Sequence, residues 1–148
     1  GGTGSDLKAA ARGMDEHFLV LNGDTLTDIN WRVLARYGQW RASGDGGLAA
    51  IVSVPNLADY GAVAIDPASS RITGFQEKTG QRRSGLINAG AYVFGPETLN
   101  AFSVNGSLEK DCLPALAAAG KLLYRLHDGY LFDCGTPRRV VTRPQLSR

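Results

Sequence analysis

Three stretches, FLVL (18–21), GLAAIVSV (47–54) and LINAGAYVF (86–94), are apolar almost without interruption. A strand with one wet face alternates apolar and polar residues, so an unalternating run implies burial on both faces. A sheet covered by helices on both sides offers that burial. The intervening segments can supply the helices. SDLKAAARG (5–13) can start on Ser5, place Leu7, Ala10 and Ala11 on one face and stop at Gly13. Asp28 can cap a helix to about Ser43, with Ile29, Val33, Leu34, Tyr37 and Trp40 as its apolar stripe. Pro96 suits the first turn of a short helix over 97–102. Ser107 precedes LEKDCLPALAAAG, a helix kinked near Pro114 and ended by Gly120. Thr136 and Pro137 suit the start of a final helix. GAVAID (61–66) and RITGFQEK (71–78) flank the turn PASS as a hairpin, and KLLYRL and GYLFD are the last strands. The expectation is an α/β fold with a Rossmann-like mixed, mainly parallel sheet flanked by helices.

The 148 residues suffice for one domain with one sizeable core. A net charge of +2 is too small to argue for nucleic acid or a membrane surface. No apolar run approaches the roughly 20 residues of a membrane helix, and no secretory leader is expected, so the default compartment is the cytoplasm. Cys112 and Cys134 form no disulfide framework, and no Cys or His stands at zinc-ligand spacing. His17 and His127 are read as structural or solvated.

In sheets of this class, ligands bind beyond the carboxyl ends of strands. FLVL ends on Asn22-Gly23-Asp24, and the last strand ends on Asp133. Two carboxylates brought to one sheet edge can hold an oxygen-liganded cation such as Mg²⁺ beside a phosphate. Taken singly, each motif also admits a structural role. NGD is a common turn, Asp133 can cap the following helix, and GGTG (1–4) can be a flexible end. Glu77-Lys78 can be a solvated ion pair, and Tyr60-Gly61 an ordinary turn. Asn88-Ala89-Gly90 inside an apolar strand is harder to dismiss, since a polar amide and a glycine there need a partner or a close neighbour.

The order of these pieces is more specific than any one of them. GTG, strand-NGD, DYG, FxEK, INAG and FDxGTP follow one another over nearly the whole chain, which resembles the sugar-1-phosphate nucleotidyltransferase family (nucleotide-sugar pyrophosphorylases). GLINAGAYVF, SLEKDCLP and GYLFDCGTP look most like the mannose-1-phosphate and D-glycero-D-manno-heptose 1-phosphate guanylyltransferases. The resemblance implies nucleotidyl transfer from an NTP to a sugar 1-phosphate, with release of pyrophosphate and in-line attack that needs no protein nucleophile. It implies that Asp24 and Asp133 hold Mg²⁺ and that Lys78 pairs with the sugar phosphate. It assigns Glu77 and Asn88 to sugar hydroxyls and lets the backbone at Gly61 and Gly90 approach the sugar. It lays Gly2, Thr3 and Gly4 against base and ribose. Glu109 matches the SLEKD stretch and has either a place near the sugar or a helix-surface role; Tyr60 carries no assigned contact.

The family's opening loop, GGxGTRLxPxTxxxPK, has no counterpart here, and GGTG matches a later, base-contacting segment. By resemblance, residues 1–148 correspond to the C-terminal two-thirds of a single catalytic domain, and this piece alone is expected to have little or no activity. The expected partners are an NTP and a sugar 1-phosphate, with no nucleic acid, no membrane and a homo-oligomer left open. Thymidylyl or uridylyl transfer to glucose 1-phosphate is the alternative within the class. A non-catalytic sugar-nucleotide-binding regulatory subunit or inactive remnant is the alternative outside it. That subunit would keep Glu77, Asn88 and Gly90 without needing Asp24, Lys78 or Asp133. A metal-dependent phosphatase fits less well, because no Asp-x-Asp nucleophile pattern follows a strand.

Overall fold

The structure is a computed structural model that describes residues 2–134. The expected final helix from Thr136 lies outside the described residues. Six strands form the main sheet: β1 (Phe18–Leu21), β3 (Gly47–Val54), β4 (Ala62–Asp66), β5 (Arg71–Gln76), β6 (Gly85–Phe94) and β7 (Leu122–His127). Two more, β2 (Thr25–Thr27) and β8 (Leu131–Asp133), form a separate antiparallel ribbon.

The sheet order is β1-β6-β3-β7-β5-β4. Strands β1, β3, β4 and β7 share one direction, but β6 lies between β1 and β3 and runs against both. The β3–β7 ladder is therefore the one parallel pairing among the described strands of this sheet. The α/β class holds, while the ladders are mostly antiparallel rather than mainly parallel. The reason lies in what an apolar run encodes. It reports burial on both faces, and an antiparallel central strand is buried just as fully as a parallel one.

Side chains of β3 alternate between two cores. Ala49 and Ile51 join Tyr92, Phe94 and Leu122 on one face, with Leu113 and Leu116 packed over them. Leu48, Ala50 and Val52 join Ile87, Ala89, Ala91 and Val93 on the other, with Leu34 over them. Helix α1 (Thr3–Ala10) and α3 (Leu113–Ala118) cover the first face, and α2 (Trp31–Arg41) covers the second.

Helix boundaries differ from the sequence reading for local reasons. Helix α1 begins at Thr3 with Gly2 as N-cap, and the Ser5 hydroxyl donates to the Gly2 carbonyl rather than capping. Helix α2 is capped by Asn30, whose Oδ1 accepts from Val33 N at 3.1 Å. Asp28 cannot cap it, because its carboxylate is already bonded to His127 and to the Tyr130 amide. Before Pro114 the chain makes a wide π-type turn over Leu108–Cys112, capped by Ser107, and α3 follows. The irregularity expected at Pro114 thus falls just ahead of it. A 3₁₀ turn spans Pro96–Ala101, in place of the expected short helix over 97–102.

Candidate functional site

The end of β1 and the middle of β6 build the floor of the main cleft. Asn22 follows β1, and its amide donates to the Gly90 carbonyl at 2.8 Å. Gly90 has a φ of 71°, and a Cβ there would stand 2.8 Å from Asn22 Nδ2. Glycine is required by both the left-handed backbone and the close approach. Two residues earlier, Asn88 Oδ1 accepts from Gly90 N at 2.9 Å, and Asn88 Nδ2 donates to the Tyr92 hydroxyl at 2.6 Å. The amide retains one N–H and one lone pair for a ligand. Tyr92 is fully buried, and burial, then the neighbouring Glu109 carboxylate, pushes its phenol well above the ordinary value.

The ribbon supplies one wall. Thr25 pairs with Asp133 across β2 and β8, and Cys134 N donates to the Asp24 carbonyl at 2.7 Å. Asp24 and Asp133, more than a hundred residues apart in sequence, therefore flank the same end of the ribbon. The hairpin supplies the opposite wall. Gly61 is packed against the Gln76 carbonyl, so the backbone entering β4 runs beside the chain leaving β5 at Glu77-Lys78.

These walls enclose a cleft of about 600 Å³ lined by Asp24, Gly61, Glu77, Lys78, Asn88, Gly90 and Asp133, each singled out in the sequence. Glu109 lines it too, and Asn22 Nδ2 donates to Glu109 Oε1 at 3.4 Å. Thr3 lines an adjoining pocket of about 360 Å³ with Asp24 and Glu109, while its hydroxyl accepts from Leu108 N at 2.9 Å. Gly2 and Gly4 line neither space. Both are pressed against the Gly106 carbonyl, where a side chain would collide.

Sequence reasoning passed over Asn22, Asp59 and Lys110 as site residues, although all three line the cleft. Each sits inside a motif already noted, Asn22 in NGD, Asp59 in DYG and Lys110 in SLEKD. Composition cannot tell a lining polar residue from a solvated one, so membership of those motifs was the available signal. With these included, the lining carries five carboxylates (Asp24, Asp59, Glu77, Glu109, Asp133) and two lysines (Lys78, Lys110). An anionic ligand would be repelled by that balance unless a cation entered with it. Among the described residues no cluster of three or more His, Cys, Asp or Glu is arranged to hold a metal. The Asp24–Asp133 pair suits a hard cation that takes its other ligands from water and phosphate, as Mg²⁺ does.

Comparison with known proteins gives this cleft a context. The model of the nucleotidyl transferase family matches residues 5–143. Mannose-1-phosphate guanylyltransferase catalytic subunit beta of Xenopus tropicalis is 30% identical over 145 residues, covering 95% of this chain and 40% of that protein. Mannose-1-phosphate guanyltransferase of Hypocrea jecorina is 33% identical over 145 residues, covering 95% and 39%. The chain spans about two-fifths of the length of these relatives. The crystal structure of HddC from Yersinia pseudotuberculosis complexed with GMP-PN superposes with a TM-score of 0.76 at 26% identity, covering 93% of this chain and 59% of that one.

Proposed function

The chain belongs to the nucleotidyl transferase family, and on that premise we propose that its parent protein transfers a nucleotidyl group from GTP to a mannose-type or manno-heptose-type sugar 1-phosphate. Pyrophosphate leaves, and a GDP-sugar forms. The observation that carries this reading is the convergence of seven sequence-singled residues on one acid-rich cleft. The similarity to guanylyltransferases and to a GMP-PN complex supports the choice of base and sugar.

The reaction is in-line attack of a sugar-phosphate oxygen on the α-phosphorus. Such chemistry needs alignment and charge neutralisation rather than a protein nucleophile. Lys78 would pair with the sugar phosphate as a flexible point charge. Asn88 would offer its remaining N–H and lone pair to sugar hydroxyls, and Glu77 would accept from them. The backbone at Gly61 and Gly90 would lie against the sugar. We place base and ribose on the Thr3 side, with Gly2 and Gly4 holding that segment against Gly106. Asp24 and Asp133 would hold Mg²⁺, which when bound supplies neutralisation of the phosphate charge. No helix of the described residues is long and apolar enough to cross a membrane; we assign the protein to the cytoplasm.

The test is pyrophosphate release by the full-length protein with GTP, TTP or UTP against mannose, manno-heptose or glucose 1-phosphate. Turnover should be highest with GTP and a manno-configured sugar. Asp24→Asn and Asp133→Asn should each lose roughly 100-fold or more in kcat. A preference for TTP or UTP with glucose 1-phosphate would overturn the choice of base and sugar. Binding of GDP-sugar without turnover on any pair would favour the regulatory subunit.

A further inference from the structure

Strand β2, which directly follows Asp24, and β8, which ends on Asp133, are three residues long each and stand apart from the main sheet. A ribbon that short is marginal by itself. Leu131 packs on the second core, whereas Leu26 is 59% exposed. Something else must fix its register. A one-residue slip would turn every side chain of β8 to the opposite face and carry Asp133 out of the cleft.

The Asp28 carboxylate stands at the far end of the ribbon. Asp28 directly follows β2, and its Oδ1 bonds His127 Nε2 at 2.6 Å and accepts from Tyr130 N at 3.0 Å. His127 closes β7 of the main sheet, opposite Val52, and Tyr130 directly precedes β8. One oxygen atom therefore ties together the exit of β2, the entry of β8 and the end of β7. The turn between is folded tightly onto this junction, since a Cβ at Gly129 would collide with both Asp28 Oδ1 and His127 Nε2. The His127 side chain is 18% exposed and the Asp28 side chain 44%, so the bond is open to water on the carboxylate side. Its effect on the carboxyl agrees, because the bond to His127 is the main cause holding Asp28 below the ordinary carboxylate value.

We propose that Asp28 and His127 are positioning residues that clasp the β2–β8 ribbon to the main sheet and so set where Asp24 and Asp133 stand. Neither touches the cleft, and neither takes part in the chemistry. That the placed carboxylates bind metal rests on the reading in the preceding subsection; that the clasp holds the ribbon does not.

The first readout is hydrogen–deuterium exchange of the full-length protein, which needs no ligand. Asp28→Ala should accelerate exchange of residues 25–27 and 131–134 by about 10-fold or more, with 47–54 and 85–94 unchanged. Asp28→Asn keeps an acceptor oxygen and should restore most of the protection. His127→Ala removes the tie to β7 but leaves the one to Tyr130, and should fall between. Unchanged ribbon exchange in either alanine variant, or acceleration shared equally by the sheet, would overturn the clasp. If Asp28→Ala does not fold, His127→Ala decides by the same criterion.

The second readout is titration with Mn²⁺ alone, followed by electron paramagnetic resonance. Asp28→Ala should weaken binding about 10-fold, and Asp28→Asn much less. Faster ribbon exchange with unaltered Mn²⁺ affinity would overturn the positioning role. A wild-type protein that binds no Mn²⁺ would sink the metal reading, and the exchange result alone would then decide the clasp.

Discussion

Replacing Gly90 by alanine tests the floor of the cleft most directly. With φ at 71°, an L-residue at this position costs about 1–2 kcal/mol in backbone strain. The new methyl would also stand 2.8 Å from Asn22 Nδ2 and 3.0 Å from Asn22 Cβ and Cγ. The asparagine must turn away and lose its bond to Glu109, worth about 0.5–1.5 kcal/mol. The sum is roughly 2–3 kcal/mol. At about 2–4 °C per kcal/mol for a domain of this size, the melting midpoint should fall by roughly 5–10 °C. Gly23→Ala and Gly74→Ala are the controls. Neither residue has a positive φ, and neither would bring its Cβ within 4 Å of anything. Each should stay within about 0.5 kcal/mol of wild type. The assay is urea or thermal unfolding of the full-length protein with all three variants side by side. A Gly90→Ala variant as stable as the controls would refute the reasoning, because neither strain nor crowding would then exist at that position.

Tyr92→Phe should keep the ring stack on Phe94, at 5.7 Å between centroids, yet cost about 1 kcal/mol by leaving Asn88 Nδ2 without its partner; chemical denaturation would show it, and no change would mean the bond is not formed. Burial raises the Cys112 thiol above its ordinary value, so native protein should react with iodoacetamide at the half-buried Cys134 and not at Cys112 until it is unfolded, as mass spectrometry would show. Asp28, Asp45 and Asp66 are each held below the ordinary 3.8, chiefly by hydrogen bonds from His127, Lys121 and Ser69 respectively. A depressed folded-state value stabilises fully above the unfolded value and is lost as pH falls through the folded one. The melting midpoint should therefore hold near pH 6 and drop below about pH 4, and Asp45→Asn should flatten part of that drop.

The elements written as unbroken apolar runs were legible because burial leaves a mark on composition. FLVL, GLAAIVSV and LINAGAYVF became β1, β3 and β6, at or within a residue of the expected bounds. Strand direction left no such mark, since a side chain buried on both faces is apolar whichever way its neighbour runs. Caps failed for a related reason. Asp28 and Asn30 are equally good caps on paper, and the choice fell to Asn30 because a histidine 99 residues away in sequence had claimed Asp28.

The chain's own text therefore determined the class of fold and the family, and it singled out the acids, the amide and the lysine that line one cleft. Those follow from residue type and order, which are local properties. It could not determine that Asp24 and Asp133 share one ribbon end, that Asn88 is already half spent on Gly90 and Tyr92, or that a carboxylate outside every motif bonds both His127 and the Tyr130 amide at the ribbon's other end. Those are relations between segments far apart in the chain. Packing and hydrogen-bond satisfaction settle them only once the whole sheet has closed.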